Sequence, residues 1–284
     1  MKKLLALLLV AVIAAAALSL VACGGTDDEV SEGKATVVVY SETAKKYSVD
    51  LSKLGEKPTV LKALEYLNNN KGLALAYTYS EYGAYLTEFD VLKEDKEKYN
   101  YLYFWTSVEE DWDVSKYATQ NYYADKKLVS SGLGVSSASL CDGAVVLFAY
   151  YGTADVSIPE IETASIVIGG DDAVEYTVDL KAFDGRTVID AMEYLCETEG
   201  VALTYSNSEY GAYVTEFGSL KEDSANAKYV IFYTSVKKNW DISAYATLKY
   251  YNNEKLVSSG LGVSSATIED DAVIYFDYMT FASV

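Results

Sequence analysis

The chain has 284 residues, of which 42 are acidic and 23 are lysine or arginine, with a formal net charge of −19 and no histidine. A surface this negative repels phosphate backbones, so we expect no nucleic-acid partner. The lack of histidine removes the commonest general base and every Ser–His or Cys–His arrangement, and no pair of carboxylates is specifically placed, so we expect no enzymatic activity.

The amino terminus predicts a bacterial lipoprotein signal. Met1-Lys2-Lys3 precedes a short apolar run at 4–17, and Leu-Val-Ala-Cys follows at 20–23. This ending resembles a lipobox, which implies cleavage after residue 22 and diacylglyceryl attachment to Cys23, followed by an acidic tether that ends at residue 34. An ordinary signal peptide with a chance cysteine is the alternative. We expect an extracytoplasmic protein held on the bacterial cell membrane by its lipid.

The elements after the tether are mainly strands. The segments "ATVVVYSE" and "KKYSVDL" are rich in valine and tyrosine and predict a strand pair. Thr59 begins a helix with apolar residues at helical spacing, and Gly72 suits its end. Further strands are predicted in "LALAYTYSEYGAYLTEF", "NYLYFWTSV", "QNYYADKKLV" and "GAVVLFAYY".

The chain then repeats itself. A shift of 128 positions aligns "SEYGAY" at 80–85 with 208–213, and 48 of the 80 residues between 59 and 138 are identical to their counterparts. The second copy has a hairpin signal at Gly169-Gly170-Asp171 and a helix from Thr187 to Gly200, with Asp190 placed for a capping box. A repeat this close is the signature of tandem duplication.

These signals predict two tandem α+β modules, each a mixed β-sheet packed on one helix. We place module 1 at 35–153, a linker at 154–163 and module 2 at 164–284. Each module has enough residues to build its own core.

The two remaining cysteines do not repeat. Cys141 corresponds to Glu269, and Cys196 corresponds to Asn68. A disulfide built into the module would recur in both copies, so we expect two free, buried thiols, with a single bond between them as the alternative. Without histidine or paired cysteines, we expect no zinc site.

The order of these motifs resembles a known family. A strand pair, the helix "TVLKALEYL", the stretch "YGAYLTEF", an aromatic strand and the closing "DGAVVLFAY" are similar to the bacterial domains named for the C-terminal domain of transcobalamin. The resemblance covers nearly all of each module. It implies a β-grasp-like fold, a surface-anchored protein and a corrinoid as a possible ligand. A longer Trp-containing excursion replaces the family's usual Asn-Gly turn, and transcobalamin's large helical barrel is absent.

Aromatic residues that recur in both modules are the candidate ligand contacts. The tyrosines of "SEYGAY" flank a glycine that favours a bend in the backbone, and their rings serve either as packing or as a shallow platform. Trp112 and Trp240 either anchor a long loop or point outward from it. The candidate residues are Tyr82, Tyr85, Trp105, Trp112, Tyr210, Tyr213, Tyr233 and Trp240.

Metal binding is not expected at these loops. The acidic Glu109-Glu110-Asp111 before Trp112 becomes Lys237-Lys238-Asn239 before Trp240, and lysines cannot replace oxygen ligands.

The sequence therefore favours a non-catalytic surface lipoprotein that binds an extracellular corrinoid or glycan through aromatic surfaces repeated in both modules. The alternative is a structural or protein-interaction module of the bacterial envelope, with an envelope protein or transporter as its partner and no small-molecule ligand.

Overall fold

The computed structural model describes residues 33–81, 83–170, 173–208 and 211–279. The chain divides into two compact units, and the boundary between them in the sequence lies between Glu160 and Ile161. Cys23, Tyr82 and Tyr210, the signal peptide and most of the tether lie outside the described residues.

The first unit contains one helix and ten strands among the described residues. They are β1 (Lys34–Tyr40), β2 (Ala44–Asp50), α1 (Val60–Lys71), β3 (Leu75–Ser80), β4 (Gly83–Phe89), β5 (Leu92–Lys93), β6 (Leu102–Thr106), β7 (Gln120–Tyr123), β8 (Lys126–Ser130), β9 (Val145–Tyr150) and β10 (Ser157–Ile158). Seven strands form a mixed sheet in the order β10-β7-β8-β6-β9-β1-β2, and β3, β4 and β5 form a separate antiparallel sheet.

The second unit repeats this plan. Its elements are β11 (Thr163–Ile168), β12 (Val174–Asp179), α2 (Val188–Glu199), β13 (Leu203–Ser208), β14 (Gly211–Phe217), β15 (Leu220–Lys221), β16 (Val230–Thr234), β17 (Leu248–Tyr251), β18 (Glu254–Ser258) and β19 (Val273–Tyr278). Its large sheet has the order β12-β11-β19-β16-β18-β17, beside the antiparallel sheet β13-β14-β15.

The described residues thus form a β-rich α+β fold with two helices, as the composition of the segments predicted. Two details differ from expectation. The segment around "YGAY" does not join the large sheet of its module but forms a second sheet. The predicted linker contains structured residues as well, because β10 pairs with β7 and β11 begins at Thr163.

Each helix is capped at both ends and buries one face. The Thr59 side chain accepts a hydrogen bond from the Lys62 amide at the start of α1, and Thr187 with Asp190 forms the predicted capping box of α2. Gly72 and Gly200 end the helices in the left-handed conformation. The buried stripes recur at helical spacing and consist of Val60, Leu61, Ala63, Leu64 and Leu67 in α1, and Val188, Ala191, Met192 and Leu195 in α2.

The first hairpins align with a shift of 129 rather than 128. Lys34 pairs with Asp50 in β1 and β2, and Thr163 pairs with Asp179 in β11 and β12. One additional residue of module 1 lies between its hairpin and its helix, where a connection tolerates it.

A crossing segment ties the parts of each module together; we define it as residues 131–140 in module 1 and 259–268 in module 2. The carbonyls of Ala138 and Val135 accept hydrogen bonds from the Val60 and Leu61 amides at 3.0 and 2.8 Å. These amides begin α1 and have no acceptor inside the helix. In module 2 the crossing segment caps α2 through the same two bonds. The most conserved phrase of the repeat therefore positions the helix.

The crossing segment also explains why "YGAY" persists in both copies. Gly83 has a φ of 97°, and a β-carbon there would lie 2.5 Å from Ser136 Oγ. The same hydroxyl accepts a hydrogen bond from the Ala84 amide at 3.0 Å. Gly211 and Ser264 repeat the contact in module 2. The glycine is needed because the segment "VSSA" packs directly on this strand.

Replacing Leu64 by alanine should lower the free energy of unfolding of module 1 by about 2–5 kcal/mol, because the side chain is fully buried and its loss leaves a cavity. The matched control is Leu64→Met, which copies Met192 of module 2 and should cost less than about 1.5 kcal/mol. Urea unfolding is followed by the fluorescence of Trp105 and Trp112 in a Trp240→Phe background. Equal losses for both variants would contradict the packing described for α1.

Candidate ligand-binding loops

The loops that contain Trp112 and Trp240 are braced at their first residue; we call residues 112–119 and 240–247 the Trp-Asp loops. Trp112 Nε1 donates to the Thr106 carbonyl at 2.8 Å, and Trp240 Nε1 donates to the Thr234 carbonyl at 2.8 Å. Both indoles are half-buried. Between the two interpretations of these tryptophans, the geometry favours loop anchors, because the one polar group of each ring is already bonded.

A lysine covers one face of each indole. Lys127 Nζ lies 5.3 Å from the ring centroid of Trp112, and Lys255 Nζ lies 5.4 Å from that of Trp240. This distance is within the range of a cation–π contact. Each indole therefore contacts both the base of its loop and the neighbouring hairpin, which is β7–β8 in module 1 and β17–β18 in module 2.

The base of each loop is closed by the crossing segment. A β-carbon on Gly132 would lie 3.3 Å from both the Asp113 Cα and the Trp112 carbonyl oxygen. Gly260 makes the same approach in module 2, at 3.1 Å from the Asp241 Cα. A side chain at either glycine would push the loop away from the crossing segment.

Side-chain hydrogen bonds fix the shape of the loops. The Asp113 carboxylate accepts from the Ser115 amide at 2.8 Å and from its hydroxyl at 3.0 Å. In module 2 the Asp241 carboxylate accepts from the Ser243 amide at 2.8 Å. These Asx turns explain why the Trp-Asp pair and the serine two residues later recur together.

Each braced loop displays an aliphatic residue and a tyrosine to solvent. Val114 is 97% exposed and Ile242 is 99% exposed, and Tyr117 and Tyr245 are also exposed. A β-branched aliphatic side chain exposed to this extent on an ordered loop gains nothing from its own fold. Our contact predictions omitted these four residues. A signal for these residues was present in the sequence. An aliphatic residue persists at 114 and 242, whereas two positions later Lys116 of module 1 becomes alanine in module 2.

Trp105 and Tyr233 are unavailable to a ligand. Trp105 is 1% exposed, and its Nε1 donates to Thr119 Oγ1 at 2.9 Å, which holds the far end of the loop. Tyr233 is buried and accepts from Thr247 Oγ1 at 3.4 Å. Both side chains lie on the face of the large sheet opposite the helix. There each one is hydrogen-bonded to the last residue of its Trp-Asp loop, Thr119 or Thr247.

Tyr85 and Tyr213 are half-exposed, but their hydroxyls are engaged. Tyr85 donates to Glu94 Oε1 at 2.7 Å. Burial, followed by this carboxylate, raises the pKa of Tyr85 to about 12. Burial and a hydrogen bond to Glu222 also raise the pKa of Tyr213. Their partners Tyr82 and Tyr210 fall outside the described residues, so the platform predicted for "YGAY" is described only in part.

Tyrosine–carboxylate pairs recur elsewhere in the molecule. The further pairs are Tyr47–Asp90, Tyr77–Glu65, Tyr205–Glu193 and Tyr251–Glu175. Many of the tyrosines and acidic residues are therefore hydrogen-bonded to one another, including tyrosines that the sequence suggested as ligand contacts.

A buried polar residue lies directly beneath each Trp-Asp loop. Asp111 is almost fully buried and accepts from the Ser139 amide at 2.7 Å and its hydroxyl at 3.1 Å. Its counterpart Asn239 accepts from the Thr267 amide at 3.1 Å and also donates to the Thr267 carbonyl. Burial raises the pKa of Asp111 above its ordinary value, although the bonds from Ser139 oppose the shift.

The cysteines depart from expectation. Cys196 is a free thiol, but it is exposed, because it follows Leu195 on α2 and turns away from the buried stripe. Cys141 is half-buried beside the core of module 1 and is disulfide-bonded. The expectation of two free, buried thiols is therefore wrong for Cys141 in its redox state and for Cys196 in its burial.

The described residues contain neither a cluster of metal-ligating side chains nor a helix suited to cross a membrane. No cluster of three or more histidine, cysteine, aspartate or glutamate side chains is arranged to hold a metal ion. No helix in this part of the chain has the length and hydropathy required to cross a membrane.

Comparison with known proteins gives only weak structural likenesses. No family model and no curated protein sequence matches the chain. Among solved structures it is similar to a crystal structure of haptocorrin in complex with Cbi, with a TM-score of 0.31 and 14% sequence identity. The likeness covers 47% of this chain and 29% of the haptocorrin chain, so this chain matches less than a third of that protein's length. At this level it supports no statement about function.

Replacing Asp111 by asparagine should stabilise module 1 at pH 7 by about 1 kcal/mol, because it removes the cost of a buried charge and the new amide can donate to the Ser139 carbonyl. The raised pKa of Asp111 means that this cost is absent at low pH and grows as the pH rises above the ordinary value. The advantage of the variant should therefore disappear near pH 4. Urea unfolding across pH 3.5–7, in the Trp240→Phe background, measures it.

The reciprocal variant is the control. Asn239→Asp should destabilise module 2 at pH 7 and leave it unchanged near pH 4, with Trp240 as the fluorescent reporter. A pH-independent effect of both variants would contradict a buried, charged Asp111.

Proposed function

We propose that the protein is a non-catalytic surface lipoprotein that captures an extracellular ligand through its two Trp-Asp loops. The observation that carries this proposal is the nearly complete exposure of Val114 and Ile242 on loops fixed by the half-buried, hydrogen-bonded Trp112 and Trp240. An aliphatic side chain and a tyrosine exposed together on a loop of fixed shape form a small apolar surface that is available to a partner. Both copies keep this feature while neighbouring charges diverge.

The side chains on the loops limit the ligand chemistry. Each loop offers one aliphatic group and one tyrosine ring with a hydroxyl, which suits a ligand that combines an apolar face with hydrogen-bonding groups at its edge. A corrinoid and a glycan both fit this description. The strongly negative charge of the chain disfavours polyanionic ligands.

We also propose that each module has a β-grasp-like fold. The order of hairpin, helix, "YGAY" stretch and closing strand resembles the transcobalamin C-terminal family and a β-grasp-like module. In the large sheets, β1 lies parallel to β9 and β11 lies parallel to β19, with the helix between them in sequence. This connection is compatible with such a module.

The second candidate function is a structural or protein-interaction module of the envelope without a small-molecule ligand. It is favoured by the burial of Trp105 and Tyr233 and by the tyrosine–carboxylate pairs, which assign much of the aromatic content to stability. In this case the Trp-Asp loops contact an envelope protein or a transporter.

The first test is isothermal titration of the soluble chain, residues 24–284, with cobalamin, cobinamide and cell-wall glycans. We expect micromolar binding at two sites per chain. Tyr117→Ala or Tyr245→Ala should each remove one site, and the double variant should weaken binding at least tenfold, because the loss of an aromatic contact costs about 1.4 kcal/mol or more.

The matched control is Tyr99→Ala. Tyr99 is exposed like Tyr117, but module 2 has alanine at the corresponding position 227. Binding that survives the double loop variant would reject the loops as the contact surface. No binding of any of these ligands would favour the second candidate.

The lipid anchor is tested separately. Wild-type protein expressed in a bacterial host should incorporate labelled palmitate and partition with the membrane, whereas Cys23→Ser should do neither. An unlabelled, secreted wild-type chain would support the alternative of an ordinary signal peptide.

A further inference from the structure

In module 1 the edge of the large sheet is covered by a strand from the same module. β10 lies parallel to β7, with Ser157 paired to Tyr122 and Ile158 paired to Tyr123. The Tyr122 amide donates to the Val156 carbonyl at 2.8 Å, and the Ala124 amide donates to the Ile158 carbonyl at 3.0 Å. The β7 strand therefore does not end the sheet.

The covering segment is held by both its backbone and its side chains. The Asp155 amide donates to the Gln120 carbonyl at 2.8 Å. The Asn121 side chain accepts from the Val156 amide at 2.9 Å, and Ile158 is buried. The residues "VSI" at 156–158, which follow a left-handed turn at Asp155, thus show which chemistry this edge accepts: an extended backbone with branched aliphatic side chains at Val156 and Ile158.

In module 2 no strand covers the same edge among residues 161–170, 173–208 and 211–279, which the structure describes. β17 ends its sheet among the described residues. Leu248 is 57% exposed and Tyr250 is 67% exposed, although they correspond to Gln120 and Tyr122 of the covered strand. The turn after β17 has the same conformation as the turn after β7, with φ values of 48° and 64° at Asn252 and Asn253 against 48° and 62° at Ala124 and Asp125. The hairpin is therefore preformed for the same partner geometry.

One residue of this edge differs between the modules. Lys249 replaces the Asn121 clamp and is engaged elsewhere, since it pairs with Asp277 and lies over the ring of Tyr275. Backbone groups and apolar contacts with Leu248 would have to supply most of the affinity for an added strand. An aliphatic strand fits such an edge better than a strongly charged one.

We propose that the exposed edge of β17 binds an extended peptide strand of a separate protein, added in parallel in the way that β10 adds to β7. The strand carries branched aliphatic residues at alternate positions, as Val156 and Ile158 do. This is β-strand addition, in which main-chain hydrogen bonds give affinity and alternate side chains give specificity. The site lies on β17 and is independent of the ligand proposed for the Trp-Asp loops.

The probe is the blocked peptide YGTADVSIPE, which copies residues 151–160, titrated to millimolar concentration into the ¹⁵N-labelled soluble chain. We expect saturable shifts and slower hydrogen exchange for the amides of Tyr250 and Asn252. The amides of Tyr122 and Ala124 should not respond, because β10 already occupies their edge. A peptide N-methylated at the position of Asp155 loses one edge bond and should bind at least tenfold more weakly.

Two substitutions separate the backbone from the side chain. Tyr250→Pro removes the outward amide from an edge strand, a position where proline is tolerated, and should abolish binding. Tyr250→Ala keeps that amide and should reduce affinity by less than tenfold. Equal loss in both variants, equal binding of the N-methylated peptide, or no shift on β17 at millimolar peptide would overturn strand addition. Concentration-dependent self-association that protects β17 without peptide would replace the separate partner with a second copy of this chain.

Discussion

The structure of each module depends on one crossing segment that satisfies polar groups which no regular element can satisfy. Its carbonyls accept the first amides of the helix, its glycine allows the Trp-Asp loop to approach, and Ser136 or Ser264 bonds the strand that contains "GAY". These contacts join the helix, the small sheet and the loop, which are far apart in sequence. Helix amides that are buried without acceptors cost free energy. A change in the position of the crossing segment would therefore break these hydrogen bonds and destabilise the module. This explains why its sequence is nearly identical in the two copies.

The same constraint separates the aromatic residues that stabilise the sheets from the apolar and aromatic residues that the Trp-Asp loops expose. Trp105, Tyr233 and the carboxylate-paired tyrosines lie behind or beside the sheets and stabilise them. Val114, Ile242, Tyr117 and Tyr245 lie on loops whose shape is fixed from below, so their exposure is not a result of loose packing. A rigid loop loses little conformational entropy on binding, which favours affinity from few contacts.

Comparison of the two copies shows where duplication has allowed change. Asp111 and Asn239 occupy the same buried position with different charge, which the surrounding serine or threonine accepts because it both donates and accepts hydrogen bonds. The edge strands differ more: β7 is covered by its own module, whereas β17 ends its sheet in the described part of the chain. Equivalent strands therefore differ in exposed surface despite the close sequence similarity of the two modules.

Local sequence signals determined the duplication, both helices with their caps, the strand pairs and the β-rich α+β class, because periodicity, capping residues and β-branched composition act over a few residues. They also identified the Trp-Asp pair as a constant feature of the repeat. Only the tertiary structure decided that Trp105 is buried while Val114 is exposed, that "YGAY" belongs to a separate sheet and that the crossing segment contacts Gly83. Burial and the packing of the crossing segment depend on contacts between residues far apart in sequence, such as Ala84 with Ser136, and no local pattern encodes such contacts.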